Sequence, residues 1–251
     1  MYKINFEQPV HVHFIGIGGI SMSGLAEVLL EEHFTISGSD NKRSPLTEQL
    51  EKAGVTIFYG QKASNIIEGI DVVVYTAAIH EDNEEYQAAV QKGLPMLSRA
   101  ELLGQLMTNY DTPIAVSGTH GKTTTTSMLS HILLSAEMDP TISVGGILKA
   151  IGGNIRVGNS EIFLTEACEY TNSFLHFFPK IGVILNIDED HLDFFKDLAD
   201  IRHSFRKFAE LLPADGTLVI NGEIPELHEI TDGLACRVVT YGPDSSYDSV
   251  S

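Results

Sequence analysis

Two glycine-bearing segments contain most of the residues able to do chemistry. The more informative reads Ile114-Ala115-Val116-Ser117-Gly118-Thr119-His120-Gly121-Lys122-Thr123-Thr124-Thr125. A strand that runs through such a loop into a helix presents free backbone N–H groups to an anion. A lysine followed by hydroxyl residues adds a cation and a ligand for a hard metal. On this reading Gly118, Thr119, His120, Gly121, Lys122, Thr123 and Thr124 cradle the phosphates of ATP. The Lys122 ammonium bridges the β- and γ-phosphate oxygens, and the Thr123 hydroxyl sits on Mg²⁺. Val116 stands where the standard phosphate loop has its first glycine, and Gly118 lies closer to Gly121, so the loop is a shortened relative of that motif. A fortuitous Gly-Lys-Thr helix start is the alternative.

The other segment is Gly16-Ile17-Gly18-Gly19-Ile20-Ser21, between a short apolar run and a helical stretch. It is similar to the dinucleotide fingerprint, in which glycines let the backbone approach a pyrophosphate at the positive end of a helix. Asp40 follows at the end of the next apolar run, about twenty positions on, where a fingerprint acid contacts a ribose hydroxyl. Ser21 replaces the third glycine. A nucleotide pyrophosphate and a tight strand–helix turn without a ligand both fit this segment.

Carboxylates near the second loop provide metal candidates. Glu166 ends the apolar run Ile162–Thr165, where an α/β sheet presents ligand groups, and Glu169 is close by. Asn186, Asp190 and His191 follow a further apolar run. Mg²⁺ takes one or two carboxylates together with phosphate and water, and one imidazole is possible. Alternatively, Asp188-Glu189-Asp190 is a solvated loop with His191 beside a helix start. His11, His13 and His33 form no metal-ligand pattern and read as surface or core residues, and Phe205 and Phe208 read as helix packing.

These groups need strands and helices to position them. Expected strands are Val12–Ile15, Thr35–Ser39, Val55–Tyr59 and Asp71–Tyr75, with an extended piece at Pro95 and Met96. Expected helices are Ser21–Glu32, Leu46–Ala53, Asn83–Lys92 and Arg99–Met107. This alternation predicts a Rossmann-like parallel sheet. The polar joint Asn109–Pro113 precedes a restart, which places domains at 1–109 and 110–251, the second a P-loop α/β unit. In it we expect strands at Ile114–Ser117, Ile162–Thr165, Ile181–Leu185, Thr217–Ile220 and Arg237–Tyr241, and helices at Thr123–Glu137 and Leu198–Leu212. The tail after Gly242-Pro243 has no core-forming pattern.

Of the 251 residues, 43% are hydrophobic and 20% charged, enough for one large core or two ordinary ones. The net charge of −18 argues against a nucleic-acid surface, so any phosphate must be held locally. No apolar run is long enough to span a bilayer, and Met1–Val10 has no basic segment leading into an apolar one. With only Cys168 and Cys236, this reads as a cytoplasmic protein without a disulfide framework.

The two loops together resemble the Mur ligases, and the match extends over nearly the whole chain. It rests on Phe14-Ile15-Gly16-Ile17-Gly18-Gly19-Ile20-Ser21-Met22-Ser23-Gly24, Ser37-Gly38-Ser39-Asp40, the Gly118–Thr125 loop, Glu166-Ala167-Cys168-Glu169-Tyr170 and Asn186-Ile187-Asp188-Glu189-Asp190-His191. The alanine-adding branch fits best. The resemblance implies that Gly18, Gly19, Ile20 and Ser21 hold the diphosphate of UDP-N-acetylmuramate and that Asp40 lies near its nucleoside. Thr76, Ala77 and Arg99 would help line the sugar site, and His120 would lie where the sugar's carboxylate meets ATP. Thr123, Glu166 and His191 would hold the metal. Gln61 stands where many relatives have histidine, which leaves no role for that side chain. The implied reaction is ATP-dependent ligation of L-alanine through an acyl phosphate, a step of peptidoglycan precursor synthesis. Family members carry a third domain for the amino acid, so the chain reads as a fragment, inactive alone. The alternatives are a recycling ligase that joins a whole tripeptide, a non-catalytic UDP-sugar-binding module, and, from the first loop alone, an NAD-dependent oxidoreductase.

Overall fold

Strand β1 (His11–Ile15) runs through the first glycine loop into helix α1 (Ile20–Glu31), and β2 (Thr35–Asp40), α2 (Pro45–Lys52) and β3 (Thr56–Tyr59) follow. A short 3₁₀ turn, Ala63–Asn65, leads to β4 (Val72–Tyr75), α3 (Glu84–Gln91), β5 (Met96–Ser98) and α4 (Arg99–Met107). This computed structural model describes residues 2–244 and 246–250. The five strands form a parallel sheet in the order β3-β2-β1-β4-β5. The order reverses at β1, so the loops after β1 and β4 open side by side at the carboxyl edge, the usual ligand crevice of such sheets. Ile15, Ile66, Ile70, Val73 and Ala89 make one core cluster of this sheet. The expected elements of this half are all present, with ends moved by a residue or two, as fraying and capping allow.

The second half begins with β6 (Thr112–Ser117), which leads through the second glycine loop into α5 (Lys122–Ser135). Then come β7 (Thr141–Leu148), β8 (Gly153–Arg156), β9 (Ile162–Glu166), a 3₁₀ segment at Tyr170–His176, and β10 (Ile181–Ile184). The last elements are α6 (Leu198–Glu210), β11 (Thr217–Asn221), α7 (His228–Thr231), β12 (Arg237–Gly242) and β13 (Ser249–Val250). The sheet order is β13-β12-β11-β10-β6-β9-β7-β8, and the pairings from β13 through β7 are parallel. Val116, Leu164 and Val183 centre its core, and α6 buries Phe205 and Phe208 against Phe174, whose ring stacks on Phe208 at 4.9 Å. Those two phenylalanines therefore do pack the helix.

Contacts divide the chain into one unit running to Asn109 together with Asn154–Val157, and another comprising Tyr110–Gly153 and the chain from Gly158 onward. Two expectations need correction, and one stretch had no assignment. Thr112 and Pro113 belong to β6 and not to a joint, because Pro113 accepts a backbone bond from Lys180 without needing a donor of its own. The stretch between α5 and β9 forms β7 and β8. The tail adds β13 to the sheet edge, pairing Tyr241 with Ser249, while Ser245 and Ser251 lie outside the described residues.

Candidate functional site

Helix N-termini distinguish the two glycine loops from the rest of the chain. Helices α2, α3, α4 and α6 are capped by the side chains of Ser44, Asn83, Ser98 and Asp197, and each has an acid in its first turn. Those acids meet the positive end of the helix dipole. Helices α1 and α5 instead start at Gly19 and Gly121, with no side-chain cap and no first-turn acid. Their first-turn amides, Ile20 to Met22 and Lys122 to Thr124, have no partner within the helix. Both helix starts leave amides and a positive dipole end of the kind that suits an anion.

In the second unit, β6 lies between β9 and β10, so the loop after β6 is flanked by the residues that follow those strands. Gly118 has φ of +144°, and a Cβ there would lie 2.9 Å from Leu185 Cβ, which explains the glycine. Gly121 adopts the left-handed conformation at φ 84°. Asn186 clasps the loop from both sides. Its Oδ1 accepts the His120 N–H at 2.7 Å and its Nδ2 donates to the His120 carbonyl at 3.0 Å. Thr119 Oγ1 accepts the Asp188 N–H at 2.9 Å. The His120 backbone is thereby fixed while its side chain stays exposed.

Lys122 folds back over this loop. Its Nζ donates to the Gly118 carbonyl at 2.5 Å, the Thr119 carbonyl at 3.2 Å and both oxygens of Glu169 at 2.8 and 3.1 Å. Glu169 is 2% exposed, so the ion pair holds the ammonium at the loop in a largely water-free setting. Thr123 Oγ1 donates to Glu166 Oε2 at 3.0 Å, and Glu166 Oε1 accepts the Gly145 N–H at 2.7 Å. Thr123 and Glu166 thus come together as two oxygen donors. His191 lies elsewhere, with Nε2 3.9 Å from Glu169 Oε1 and its ring 4.5 Å from that of Tyr170. Asp193 accepts the Tyr170 hydroxyl at 2.7 Å and thereby raises its pKa. Among the described residues no group of three or more His, Cys, Asp or Glu side chains is disposed to hold a metal.

In the first unit, Gly16 and Ile17 donate to the Ser39 carbonyl at 2.9 and 3.0 Å, and Gly18 N–H donates to Asp40 Oδ2 at 2.9 Å. Asp40 is therefore an acceptor that shapes the loop. Gly16 has φ of +85°, and a Cβ there would lie 2.6 Å from Thr76 Cγ2. Thr76 is tied to β1 through its N–H on the Ile15 carbonyl at 3.3 Å and leads into the turn containing Ala77. Arg99 Nη1 donates to Ser21 Oγ at 3.2 Å, and Ile20 is exposed. Gln61 Oε1 accepts a bond from Asn83 Nδ2 at 2.8 Å. The fold brings Gly18, Gly19, Ile20, Ser21, Asp40, Thr76 and Arg99 to the crevice edge of this sheet. Sequence reading singled out Glu169 and Asn186 as neighbours of a metal site, but not as the partners of Lys122 and of the His120 backbone, and it gave no role to the Gly145 amide. Those pairings follow from the strand order, which places the ends of β9 and β10 on either side of β6.

The Mur ligase middle domain profile matches residues 116–251, more than half of the chain, and the Mur ligase family, catalytic domain profile matches residues 11–111. The chain belongs to the Mur ligase family. Mur ligases named UDP-N-acetylmuramate--L-alanine ligase are its relatives in Agathobacter rectalis, at 65% identity over 99% of this chain, and Lachnospira eligens, at 61% over 97%. The chain spans about half the length of these curated relatives, 54% and 53%. Among solved Mur ligase structures, the UDP-N-acetylmuramate:L-alanyl-gamma-D-glutamyl-meso-diaminopimelate ligase from Neisseria meningitides superposes with TM-score 0.83 at 32% identity, covering 94% of this chain and 78% of that one. The UDP-N-acetylmuramate-alanine ligase of Thermotoga maritima gives TM-score 0.76 at 30% identity, covering 93% and 52%. No helix of the described residues is long and apolar enough to cross a membrane.

Proposed function

We propose that the chain forms the UDP-sugar-binding and ATP-binding portions of a ligase that joins L-alanine to UDP-N-acetylmuramate. Residues 1–109 take the UDP-sugar and residues 110–251 take ATP with Mg²⁺. The observation that carries this reading is the uncapped, acid-free start of α5, with Lys122 held over the loop by Glu169. Identities of 65% and 61% to relatives named as alanine ligases favour L-alanine over the tripeptide.

The reaction passes the γ-phosphoryl group of ATP to the lactyl carboxylate of the sugar, and the amine of L-alanine then displaces phosphate from the acyl phosphate. Charge collects on oxygen in both steps, so donors fixed beforehand lower the barrier. Lys122 offers its ammonium, and the first-turn amides of α5 offer N–H groups already aimed at the phosphates. Asn186 keeps the loop in shape by bridging both polar atoms of the His120 backbone. His120, whose side chain is exposed, is the loop residue we assign to the carboxylate that meets ATP. Thr123 and Glu166 are a pair of hard oxygen donors suited to Mg²⁺, which completes its shell with phosphate and water. When bound, Mg²⁺ supplies Lewis-acid neutralisation of phosphate charge. His191, whose Nε2 lies 3.9 Å from Glu169 Oε1, would be the third residue to hold the metal. At the other loop, Ile20 and Ser21 offer amides to the diphosphate, and Arg99 lies close enough to add charge.

Calorimetric titration of the 251-residue chain tests the reading. UDP-N-acetylmuramate and Mg²⁺-ATP should each give a saturable isotherm and raise the melting temperature. An NAD isotherm with no UDP-N-acetylmuramate signal would overturn it.

A further inference from the structure

Beneath the first glycine loop lies a cluster of polar side chains that the reaction above does not use. His13, Glu85, Ser37 and Ser39 are all at most 1% exposed. His13 Nε2 is 2.7 Å from Glu85 Oε1, Ser39 Oγ donates to Glu85 Oε2 at 2.6 Å, and Ser37 Oγ is 2.8 Å from both His13 Nδ1 and His11 Nε2. Isolated charge at such depth is costly, so each proton in the cluster must have an assigned place.

Both ring nitrogens of His13 are taken, Nδ1 by Ser37 and Nε2 by Glu85, and Glu85 holds a second strand residue through the Ser39 hydroxyl. Glu85 lies in the first turn of α3, so the cluster ties that helix to β1 and β2. The Phe58 ring of β3 lies 6.2 Å from that of His13, and the Asp71 carboxylate accepts the His11 backbone N–H at the edge of the cluster.

We propose that the buried, hydrogen-bonded His13–Glu85 pair positions the Gly16–Gly18 loop for a nucleoside diphosphate. Ser39 is the link. Its hydroxyl is held by Glu85, and its carbonyl accepts the Gly16 and Ile17 amides. His13 lies three residues before Gly16 on the strand that enters the loop. These are positioning residues with no contact to the ligand, and the role assigned to them rests on the proposed UDP-sugar site.

The test is amide NMR of the intact chain, combined with calorimetry of UDP-N-acetylmuramate binding. Glu85→Gln keeps the shape but weakens the bonds that the carboxylate accepts, so the Gly16, Ile17 and Gly18 amide resonances should shift and affinity should fall about tenfold, the scale of a lost charge-assisted bond. If that variant fails to fold, Ser39→Ala serves, because it removes only one hydroxyl. It should shift the same amide resonances and weaken binding several-fold. Wild-type affinity in folded Glu85→Gln or Ser39→Ala overturns the positioning role. If the wild-type chain does not bind UDP-N-acetylmuramate, the functional reading fails instead, and the amide signals still decide the inference.

Discussion

The loop at Gly16–Ser21 and the loop at Gly118–Thr123 share a strand–loop–helix layout but meet their ligands with different resources. In the first, the amides of Gly16, Ile17 and Gly18 are taken by Ser39 and Asp40, so the loop is shaped by acceptors of its own unit and leaves only the first-turn amides of α1 for an anion. In the second, the loop carries charge: the Lys122 ammonium, the Glu169 carboxylate beneath it, and Thr123 on Glu166. A diphosphate that is only held needs fixed dipoles of suitable shape. A phosphoryl group that moves needs cationic charge fixed beforehand and a metal ligand close by.

The largest expected effect comes from removing that charge. Lys122→Ala should weaken Mg²⁺-ATP binding by about ten- to a hundredfold, the range for charge-assisted hydrogen bonds. UDP-N-acetylmuramate affinity should stay within about twofold, since distant sites act independently. The substitution also leaves Glu169 buried without its cation, which destabilises the second unit. Lys122→Ala with Glu169→Gln separates the two effects, restoring the melting temperature but not ATP affinity. Parallel loss of both ligands in the single variant would remove the contrast between the loops.

A middle-sized effect tests shape at the other loop. Gly16→Ala puts a Cβ at φ +85° and 2.6 Å from Thr76 Cγ2. It should cost roughly 1–3 kcal/mol by strain, seen in urea unfolding, and lower UDP-N-acetylmuramate affinity with ATP affinity unchanged. Unchanged stability would mean that the turn relaxes and that its glycine is dispensable.

The two loops also differ in how much of each could be read from the sequence. The first unit was legible because its signals are local. The β1–loop–α1 pattern, the Ser98 cap before Arg99–Met107 and the periodic apolar runs each specify their own element. The second unit was less so. In β7, Gly145-Gly146 interrupts the alternation of a strand, and β8 is largely polar. The Tyr170–His176 segment includes Thr171 and Asn172 at positive φ, which no propensity specifies. Glu166 could be anticipated as a strand-end acid. The pairing of Glu169 with Lys122 depends on β9 lying beside β6 although β7 and β8 intervene in the chain, and strand order of that kind is a tertiary outcome.

The smallest predicted effect concerns the helices behind the loops. Helix α1 has Glu27 and Glu31 and ends at Glu32, with no basic residue in its last turn, so acids gather at the negative end of its dipole. Burial, and then the charge of Glu31, raises the Glu27 pKa above its ordinary 4.5. Folding therefore takes up protons between the unfolded and folded pKa values. The stability this group contributes is fully present below about 4.5 and is lost as pH rises through the folded value. At neutral pH the Glu27 charge is a cost. Glu27→Gln removes that cost and keeps an oxygen to accept the Gln49 amide, which donates to Glu27 at 2.9 Å. Because the side chain is only half-buried, solvent screening limits the gain to about half a kcal/mol, roughly 1–2 °C in melting temperature at pH 7.5. The difference should narrow as the pH falls through that raised pKa, because the parent side chain then takes up a proton in the folded state. Helix α5 has no acid between Lys122 and Ser135, so it has no equivalent gain to make. A melting-temperature difference that stays constant from pH 4.5 to 7.5 would assign the effect to packing instead of charge, and α1 would no longer differ from α5 in this respect.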